Sequence, residues 1–224
     1  MPEPADADGC AGVPRPARLP RAFFARPARV VAVDLLGKRL VRSLDGQPVS
    51  GIIVETEAYC DGDAPDLACH GSRNSGRPTA RTAVMFGPPG HAYVYFTYGM
   101  HWLFNIVTGE SGGPNAVLIR AVEPCEGDGA MDVRRRTRNG GPVPRWLWTN
   151  GPAKLTEALG IDGGQHGVDL CDPGGPIWLE EALPFPASDV SAGPRVGLGR
   201  TPEPWRSMPW RFWLRGNAFV SPAR

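Results

Sequence analysis

The chain has 224 residues and a mass of 24.0 kDa, which is enough to bury a substantial core. With 42% hydrophobic and 21% charged residues it is typical of a globular protein, and no apolar run approaches the roughly 20 residues that cross a membrane. The net charge is only +1, although 22 of the 24 basic residues are arginine, which suits bidentate phosphate contacts. We therefore predict an intracellular protein that does not bind membranes.

The first 19 residues differ in composition from the rest of the chain. They are rich in Pro, Ala, Asp and Gly without hydrophobic periodicity, which predicts a disordered tail over residues 1–19. Residues 20–224 contain no repeat or linker and are expected to form one domain. The five scattered cysteines argue against a disulfide framework. Cys60, Cys69 and His70 lack the paired spacing of a zinc site, so no metal or cofactor is expected.

Hydrophobic patterns and turn residues predict one mixed α/β domain. Asp45-Gly46 indicates a β-hairpin, Asp66–His70 a short helical turn, and the aromatic segment around Tyr98-Gly99-Met100 a second hairpin. The helices are expected at Val30–Leu36, Gly129–Arg138 and Pro152–Leu159. The remaining strands are expected at Lys38–Leu44, Pro48–Tyr59, Asn115–Val122, Pro176–Leu179, Arg195–Leu198 and Arg211–Arg215.

Two carboxylates stand in the predicted strand that ends IIVETEAY. Strand alternation places Glu55 and Glu57 on one face with Ile53 and Tyr59, with the glutamates about 6.5–7 Å apart. That spacing is compatible with a solvated strand face, and also with two carboxylates that hydrolyse a glycosidic bond. We favour Glu57 as the base because it is nearer the following loop and Tyr59, and we expect a structural hydrogen-bonding or ion-pair role for Glu55.

The segment Tyr93–Tyr98 contains every tyrosine of the chain except Tyr59. It is compatible with a packed sheet, and equally with an aromatic pocket for a planar base, since stacking contributes roughly 1–3 kcal/mol per base. Asn105 stands in an apolar strand, where a buried amide needs partners, and is a candidate specificity residue. Arg120 is a candidate ion-pair partner of a glutamate. The intervening loop has three candidate phosphate ligands: Arg73, Arg77 and Arg81.

Several motifs, in order and with similar spacing, resemble one known family. They are VETEAY, ACHGSRNSGRPT, MFGPPGHAYVYFTYGMHWLFNIVT, VLIRAVEP, NGPAKL and RVGLGR, and the likeness extends from about Phe23 to Ser221. The chain thus resembles the alkyladenine, or 3-methyladenine, DNA glycosylase family. The resemblance implies a single compact domain with a curved, antiparallel-rich sheet, surrounding helices and a protruding β-hairpin. It also implies base excision repair of double-stranded DNA by base flipping.

The resemblance also implies a role for individual residues. Glu57 would be the general base that activates water, with Arg120 and the backbone carbonyl of Val196 helping to hold that water. Asn105 would disfavour normal guanine. Tyr59, His70 and Tyr95 would bind the flipped base. Tyr98, with Met100 beside it, would insert into the DNA. Lys154, like the loop arginines, is a candidate contact to the DNA backbone.

The expected enzyme is a monomer. It is also expected to be a monofunctional hydrolase, because no lysine lies among the residues that would contact the water, the base or the gap in the DNA, and Lys154 belongs to a motif outside the pocket. It would act in the cytoplasm at the nucleoid of a bacterium, or in the nucleus of a eukaryote. Two alternatives remain open from the residues alone. One is a carbohydrate glycosidase that uses Glu55 and Glu57, and the other is a non-catalytic module that binds damaged DNA.

Overall fold

The computed structural model describes residues 16–59, 65–182 and 185–222, and within them eight strands form one antiparallel sheet with four short α-helices around it. The predicted mixed α/β class is confirmed. The strands are β1 (Arg39–Leu44), β2 (Gln47–Tyr59), β3 (Ala92–Thr97), β4 (His101–Val107), β5 (Ala116–Glu126), β6 (Ile177–Glu180), β7 (Val190–Gly193) and β8 (Arg211–Leu214). The helices are α1 (Arg21–Phe24), α2 (Ala28–Asp34), α3 (Asp128–Arg134) and α4 (Pro152–Leu159).

Strand β2 is the centre of the sheet. The strand order is β3-β4-β5-β2-β1-β6, while β8 pairs with the C-terminal part of β2 and β7 pairs with β8. At the glutamates, β2 therefore has a partner on each side: Glu57 lies opposite Leu118 of β5 and Arg211 of β8. This central position excludes a solvated edge face for the two carboxylates.

Both faces of β2 are covered, so its predicted alternation does not appear as alternating exposure. Every residue from Ile53 to Ala58 is buried, and irregular pairing with β5 interrupts the register on both sides of Glu55. Helix α2 covers one face, where the Thr56 hydroxyl donates to the Ala32 carbonyl at 2.8 Å. A rigid, enclosed strand thus carries the candidate chemistry.

Both predicted hairpins are present. Asp45 and Gly46 have φ values of 50° and 79°, the left-handed conformation that a tight hairpin turn between β1 and β2 requires. Tyr98 and Gly99, with φ values of 53° and 68°, turn the chain between β3 and β4. Tyr98 is 84% exposed and Met100 67% exposed, so two large apolar side chains stand at the tip of a protruding hairpin.

The predicted helix positions are largely confirmed, with shifted ends. Helix α2 starts at Ala28, two residues earlier than predicted, because Pro27 precedes it with a φ that suits helix entry. Helix α3 ends at Arg134 instead of Arg138, since the chain turns at Thr137, whose hydroxyl accepts from the Gly141 N–H. Helix α4 has its predicted bounds and ends at Gly160, whose φ of 63° is left-handed.

The predicted strand Arg195–Leu198 is wrong. These residues form a loop, and the strand of this region is β7 at Val190–Gly193. Pro194 cannot donate to a strand ladder, Arg195 turns its side chain into the interior, and Gly197 has a left-handed φ of 81°. Strand β5 also extends four residues beyond its predicted end, because β2 is long enough to pair with it as far as Glu126.

Most of the core lies between the sheet and helices α2 and α4, and a second, smaller cluster lies under the aromatic residues of β3. Of the predicted tail, residues 1–15 lie outside the described residues, while Leu19 is buried and its N–H donates to the Leu179 carbonyl of β6. Within the described ranges, no helix is long and apolar enough to cross a membrane.

Candidate active site

A cavity of about 500 Å³ opens between the end of β2, the β3–β4 hairpin, the loop after Pro65 and the loop at Val196. It brings together residues that are far apart in sequence. The predicted site residues that line it are Tyr59, His70, Arg73, Arg81, Tyr95, Tyr98, Asn105, Arg120 and Val196. One face of the fold therefore holds most of the predicted site.

Glu57 lies fully buried behind three of these lining residues. Its Oε1 accepts from the Val196 backbone N–H at 2.7 Å and lies 3.1 Å from Arg120 Nη1. Its Oε2 accepts from the Tyr59 hydroxyl at 2.8 Å. Burial, followed by the Glu57 charge, raises the pKa of Tyr59 well above its usual value, so this phenol remains a donor. The carboxylate is held in one orientation from three directions.

Glu55 has a different environment. Its Oε1 accepts from Arg120 Nε at 2.8 Å, from Arg211 Nε at 2.6 Å and from the Ser221 hydroxyl at 2.9 Å, and its Oε2 from the Ser221 N–H at 2.7 Å. The carboxylate is thus enclosed by Arg120, Arg211 and Ser221 and is not among the described residues that line the cavity. The expected structural hydrogen-bonding and ion-pair role of Glu55 is confirmed.

Arg120 joins the two glutamates. Although burial acts to lower it, the charges of Glu57 and Glu55 raise the pKa of Arg120, so the guanidinium is a permanent cation between them. It also donates to the Ser221 hydroxyl at 3.0 Å. The prediction that Arg120 pairs with a glutamate is confirmed, and the structure shows that it pairs with both.

The wall of the cavity is aromatic. Tyr93 and Tyr95 lie next to each other on β3 with ring centroids 5.3 Å apart, and His70 contacts Tyr95 edge-on at 4.6 Å. His70 Nδ1 is 2.9 Å from the Tyr93 hydroxyl. Alternation along β3 puts Tyr93 and Tyr95 on the same face, and Tyr93, which the site prediction omitted, is part of the same cavity.

Burial and two nearby arginines keep His70 uncharged. Burial, together with the charges of Arg81 and Arg73, lowers the pKa of His70 to about 4. The imidazole is therefore neutral near pH 7. Arg81 Nη2 lies 3.4 Å from His70 Nδ1, and because a guanidinium only donates, Nδ1 acts as the acceptor and the ring proton belongs on Nε2.

Asn105 is buried in β4 opposite Tyr93, and its side-chain amide donates to the Tyr93 carbonyl at 3.0 Å. This bond fixes the amide while the residue still lines the cavity. The prediction that a buried amide in an apolar strand needs a partner is confirmed.

A buried ion pair that the sequence analysis did not predict lies beside the strand. Arg195 binds both carboxylate oxygens of Asp66, at 2.5 and 2.9 Å, and also donates to the Ala58 carbonyl at 3.0 Å. Its guanidinium lies 4.7 Å from the Tyr59 ring centre. The pair connects the loop that carries His70 with the loop that carries Val196. The only sequence signal for it was the motif RVGLGR, which does not indicate a partner.

Three further predicted residues lie outside the cavity lining. Met100 stands at the hairpin tip, Arg77 is exposed in the loop after His70, and Lys154 lies in the first turn of α4, where it donates to Asn150 at 2.7 Å. Cys60, of the cysteine and histidine group considered for metal binding, lies outside the described residues. Among those that are described, no three His, Cys, Asp or Glu side chains are grouped as metal ligands.

Comparison with known proteins gives a consistent result. A family model described as "Methylpurine-DNA glycosylase (MPG)" matches residues 22–218. A protein named "Putative 3-methyladenine DNA glycosylase" from Carboxydothermus hydrogenoformans is 47% identical, over 91% of this chain and 98% of its own length. Proteins with the same name from Myxococcus xanthus and Streptomyces avermitilis are 44% and 45% identical, over 91% and 92% of this chain and 93% and 92% of their own lengths.

The match covers the strand that carries Glu57, the aromatic hairpin and the Val196 loop, so it includes every element that forms the cavity. It also decides between the alternatives that the residues alone left open, since neither a carbohydrate glycosidase nor a non-catalytic binding module fits it. The chain belongs to the methylpurine-DNA glycosylase family and is a DNA glycosylase.

Proposed function

We propose that this enzyme is a monofunctional glycosylase that flips alkylated or deaminated purines out of duplex DNA and hydrolyses their N-glycosidic bond with a water activated by Glu57. The observation that carries the proposal is a single buried carboxylate, held by three donors, directly behind a cavity with aromatic walls. The volume of about 500 Å³ is ample for one purine.

The proposed reaction needs one base. Glu57 Oε2 receives a single described hydrogen bond, from Tyr59, so a second lone pair is free to accept a proton from water. The water oxygen bonds to C1′ of the sugar, the C1′–N bond breaks, and the purine leaves with the electron pair while Glu57 takes the proton. Arg120 and the backbone of Val196, which already contact Glu57, would hold that water in place.

Selection of the base is assigned to the cavity walls. Tyr59, His70 and Tyr95 would contact the flipped purine, and the neutral His70 would add no charge of its own to the pocket. Asn105, fixed by its bond to Tyr93, would disfavour the exocyclic amino group of normal guanine. Aromatic faces also favour cationic alkylated bases through cation–π attraction.

Binding of the duplex is assigned to the rim. The exposed Tyr98, with Met100, would enter the gap left by the flipped nucleotide and partly offset an unstacking cost of a few kcal/mol. Phosphate contacts are assigned to Arg73, Arg77, Arg81 and Lys154; the three arginines form no ion pair with a described carboxylate. One chain supplies all these groups, so we propose that it acts as a monomer, at the bacterial nucleoid as its relatives' sources suggest.

The monofunctional character rests on the lysines. The chain has two, Lys38 and Lys154, and neither is among the described residues that line the cavity. Lys38 instead forms an ion pair with Glu181 at 2.6 Å. A Schiff-base step, which would nick the strand, therefore has no lysine amine among the described residues of the site.

The test is single-turnover incubation of the enzyme with duplexes that each contain one hypoxanthine, ethenoadenine or 3-methyladenine. We expect release of free base and an abasic strand that stays intact until it is treated with alkali. Strand cleavage without alkali would contradict the monofunctional assignment. If no base is released from any of the three duplexes, the proposed substrate class is wrong.

A further inference from the structure

Arg81 occupies a position that the mechanism above leaves unexplained. Its guanidinium carbon lies over the Tyr95 ring, 4.8 Å from the ring centre, and its Nη2 is 3.4 Å from His70 Nδ1. Both Tyr95 and His70 line the cavity. A cation of the protein itself thus lies over one of the aromatic rings assigned to the flipped purine.

The other neighbours of Tyr95 are fixed in place. Tyr93 is buried in β3 and bound to His70, and His70 is itself held by that bond and by the edge contact with Tyr95. Arg81 contacts His70 and Tyr93 through its guanidinium, but it is exposed and forms no ion pair with a described carboxylate. A base that stacks on Tyr95 would therefore displace Arg81 and not the other two.

The backbone around Arg81 would allow this movement. Thr79 and Thr82 close a turn on either side of it: the Thr82 N–H donates to the Thr79 carbonyl at 3.0 Å, and the Thr79 N–H to the Thr82 hydroxyl at 3.0 Å. The Cα of Arg81 is held by this turn, while its long side chain can rotate from the cavity towards the rim.

We propose that Arg81 occupies the purine position on Tyr95 in the free enzyme, that the flipped base displaces it, and that the freed guanidinium then binds a phosphate of the same DNA. A guanidinium and a purine compete for one aromatic face, because both bind it by stacking. The proposal rests on the proposed function, which places the base in this cavity, and it makes Arg81 a specificity-determining residue.

The proposal gives Arg81 opposite effects on two ligands. A free base offers no phosphate, so with this ligand Arg81 only competes, and its removal should strengthen binding. Duplex DNA offers both groups, so the attraction between the displaced guanidinium and a DNA phosphate outweighs the lost stacking. A residue that simply attracts DNA, or that simply supports Tyr95, would not change the two affinities in opposite directions.

The experiment measures dissociation constants for free ethenoadenine and for a duplex containing it, with wild type, Arg81→Ala and Arg77→Ala. Arg77→Ala is the matched control, because it removes the same charge from the same loop outside the cavity lining. We expect Arg81→Ala to bind the free base about two- to fivefold more tightly, the scale of one exposed cation–π contact, and Arg77→Ala to bind it like wild type. We expect Arg81→Ala to bind the duplex more weakly, with a salt slope reduced by about one.

The proposal would be overturned if Arg81→Ala bound the free base no more tightly than the wild type does. It would also be overturned if Arg77→Ala bound the free base as much more tightly than wild type as Arg81→Ala does. Failure of all three proteins to bind the free base would also overturn it, because the open Tyr95 face of Arg81→Ala should bind. Excision of ethenoadenine by the wild type, measured alongside, shows separately whether the proposed function holds. The unfolding midpoint of each variant checks that the fold is intact.

Discussion

Two glutamates that are two residues apart in one strand have different environments because their partners differ. Glu55 is enclosed by Arg211 and Ser221, which come from the C-terminal part of the chain, whereas Glu57 is bound by Tyr59 and by the Val196 backbone at the cavity. The order of the two residues relative to the loop was enough to favour Glu57. The partners themselves could not be predicted, because residues 139 and 166 positions away supply them.

His70 should make the stability of the protein depend on pH. Its pKa of about 4 lies below the ordinary value of 6.5, so the unfolded state binds the proton more tightly and stability is lost as pH falls from 6.5 towards 4. The part contributed by His70 between pH 7 and 4.5 is roughly 2–3 kcal/mol.

Urea unfolding of wild type and His70→Gln at these two pH values would measure this contribution. Glutamine can still accept from Tyr93 and Arg81 but does not titrate, and the carboxylates titrate alike in both proteins. We expect the variant to lose roughly 2–3 kcal/mol less than the wild type on acidification. Equal losses in the two proteins would show that His70 titrates normally.

At the scale of elements, the β3–β4 hairpin contributes aromatic side chains both at its base and at its tip. Its base supplies Tyr93 and Tyr95 to the cavity, and its tip exposes Tyr98. The left-handed conformation of Tyr98 takes it out of the alternation of β3 and turns its side chain to the hairpin tip.

Removal of the tip side chain should weaken the complex with damaged DNA. We expect Tyr98→Ala to lower the affinity for a lesion-containing duplex by about ten- to a hundredfold, because the gap left by the flipped nucleotide would be unfilled. Trp146→Ala, which removes another exposed aromatic group outside the cavity lining, is the control. Similar affinities for the two variants, measured by fluorescence anisotropy, would exclude a wedge role for Tyr98.

Elements with strong local signals were predicted well, and those defined by distant contacts were not. Asp45-Gly46 and the Pro152–Leu159 helix, which ends at Gly160, have turn and cap residues that determine their bounds locally. The segment Arg195–Leu198 was predicted as a strand from its local pattern. It is a loop because Arg195 forms a buried ion pair with Asp66, and the chain leaves the sheet at this point.

At the scale of the whole molecule, the site exists because loops from distant parts of the chain are fixed against β2. The Asp66–Arg195 pair joins two of these loops, and both side chains are fully buried. Such a pair cannot be predicted from local patterns, since its members are 129 residues apart.

Loss of one member of this pair should destabilise the fold. Arg195→Met leaves the Asp66 carboxylate buried without its cation, which we expect to lower the free energy of unfolding by about 3–5 kcal/mol. The double variant with Asp66→Asn should recover part of that loss, because the uncompensated charge is gone. Guanidinium unfolding measures both. A single variant within about 1 kcal/mol of wild type would mean that the pair contributes little to stability.

Single-turnover excision of ethenoadenine by wild type and Glu57→Gln tests whether Glu57 activates the attacking water. The variant keeps the size of the side chain and the hydrogen bond from Val196, so we expect wild-type affinity for the lesion duplex. The excision rate should fall by about 10²–10⁴-fold, because amide oxygen is a poor base. A rate within about threefold of wild type, in a variant that binds DNA normally, would show that another group activates the water.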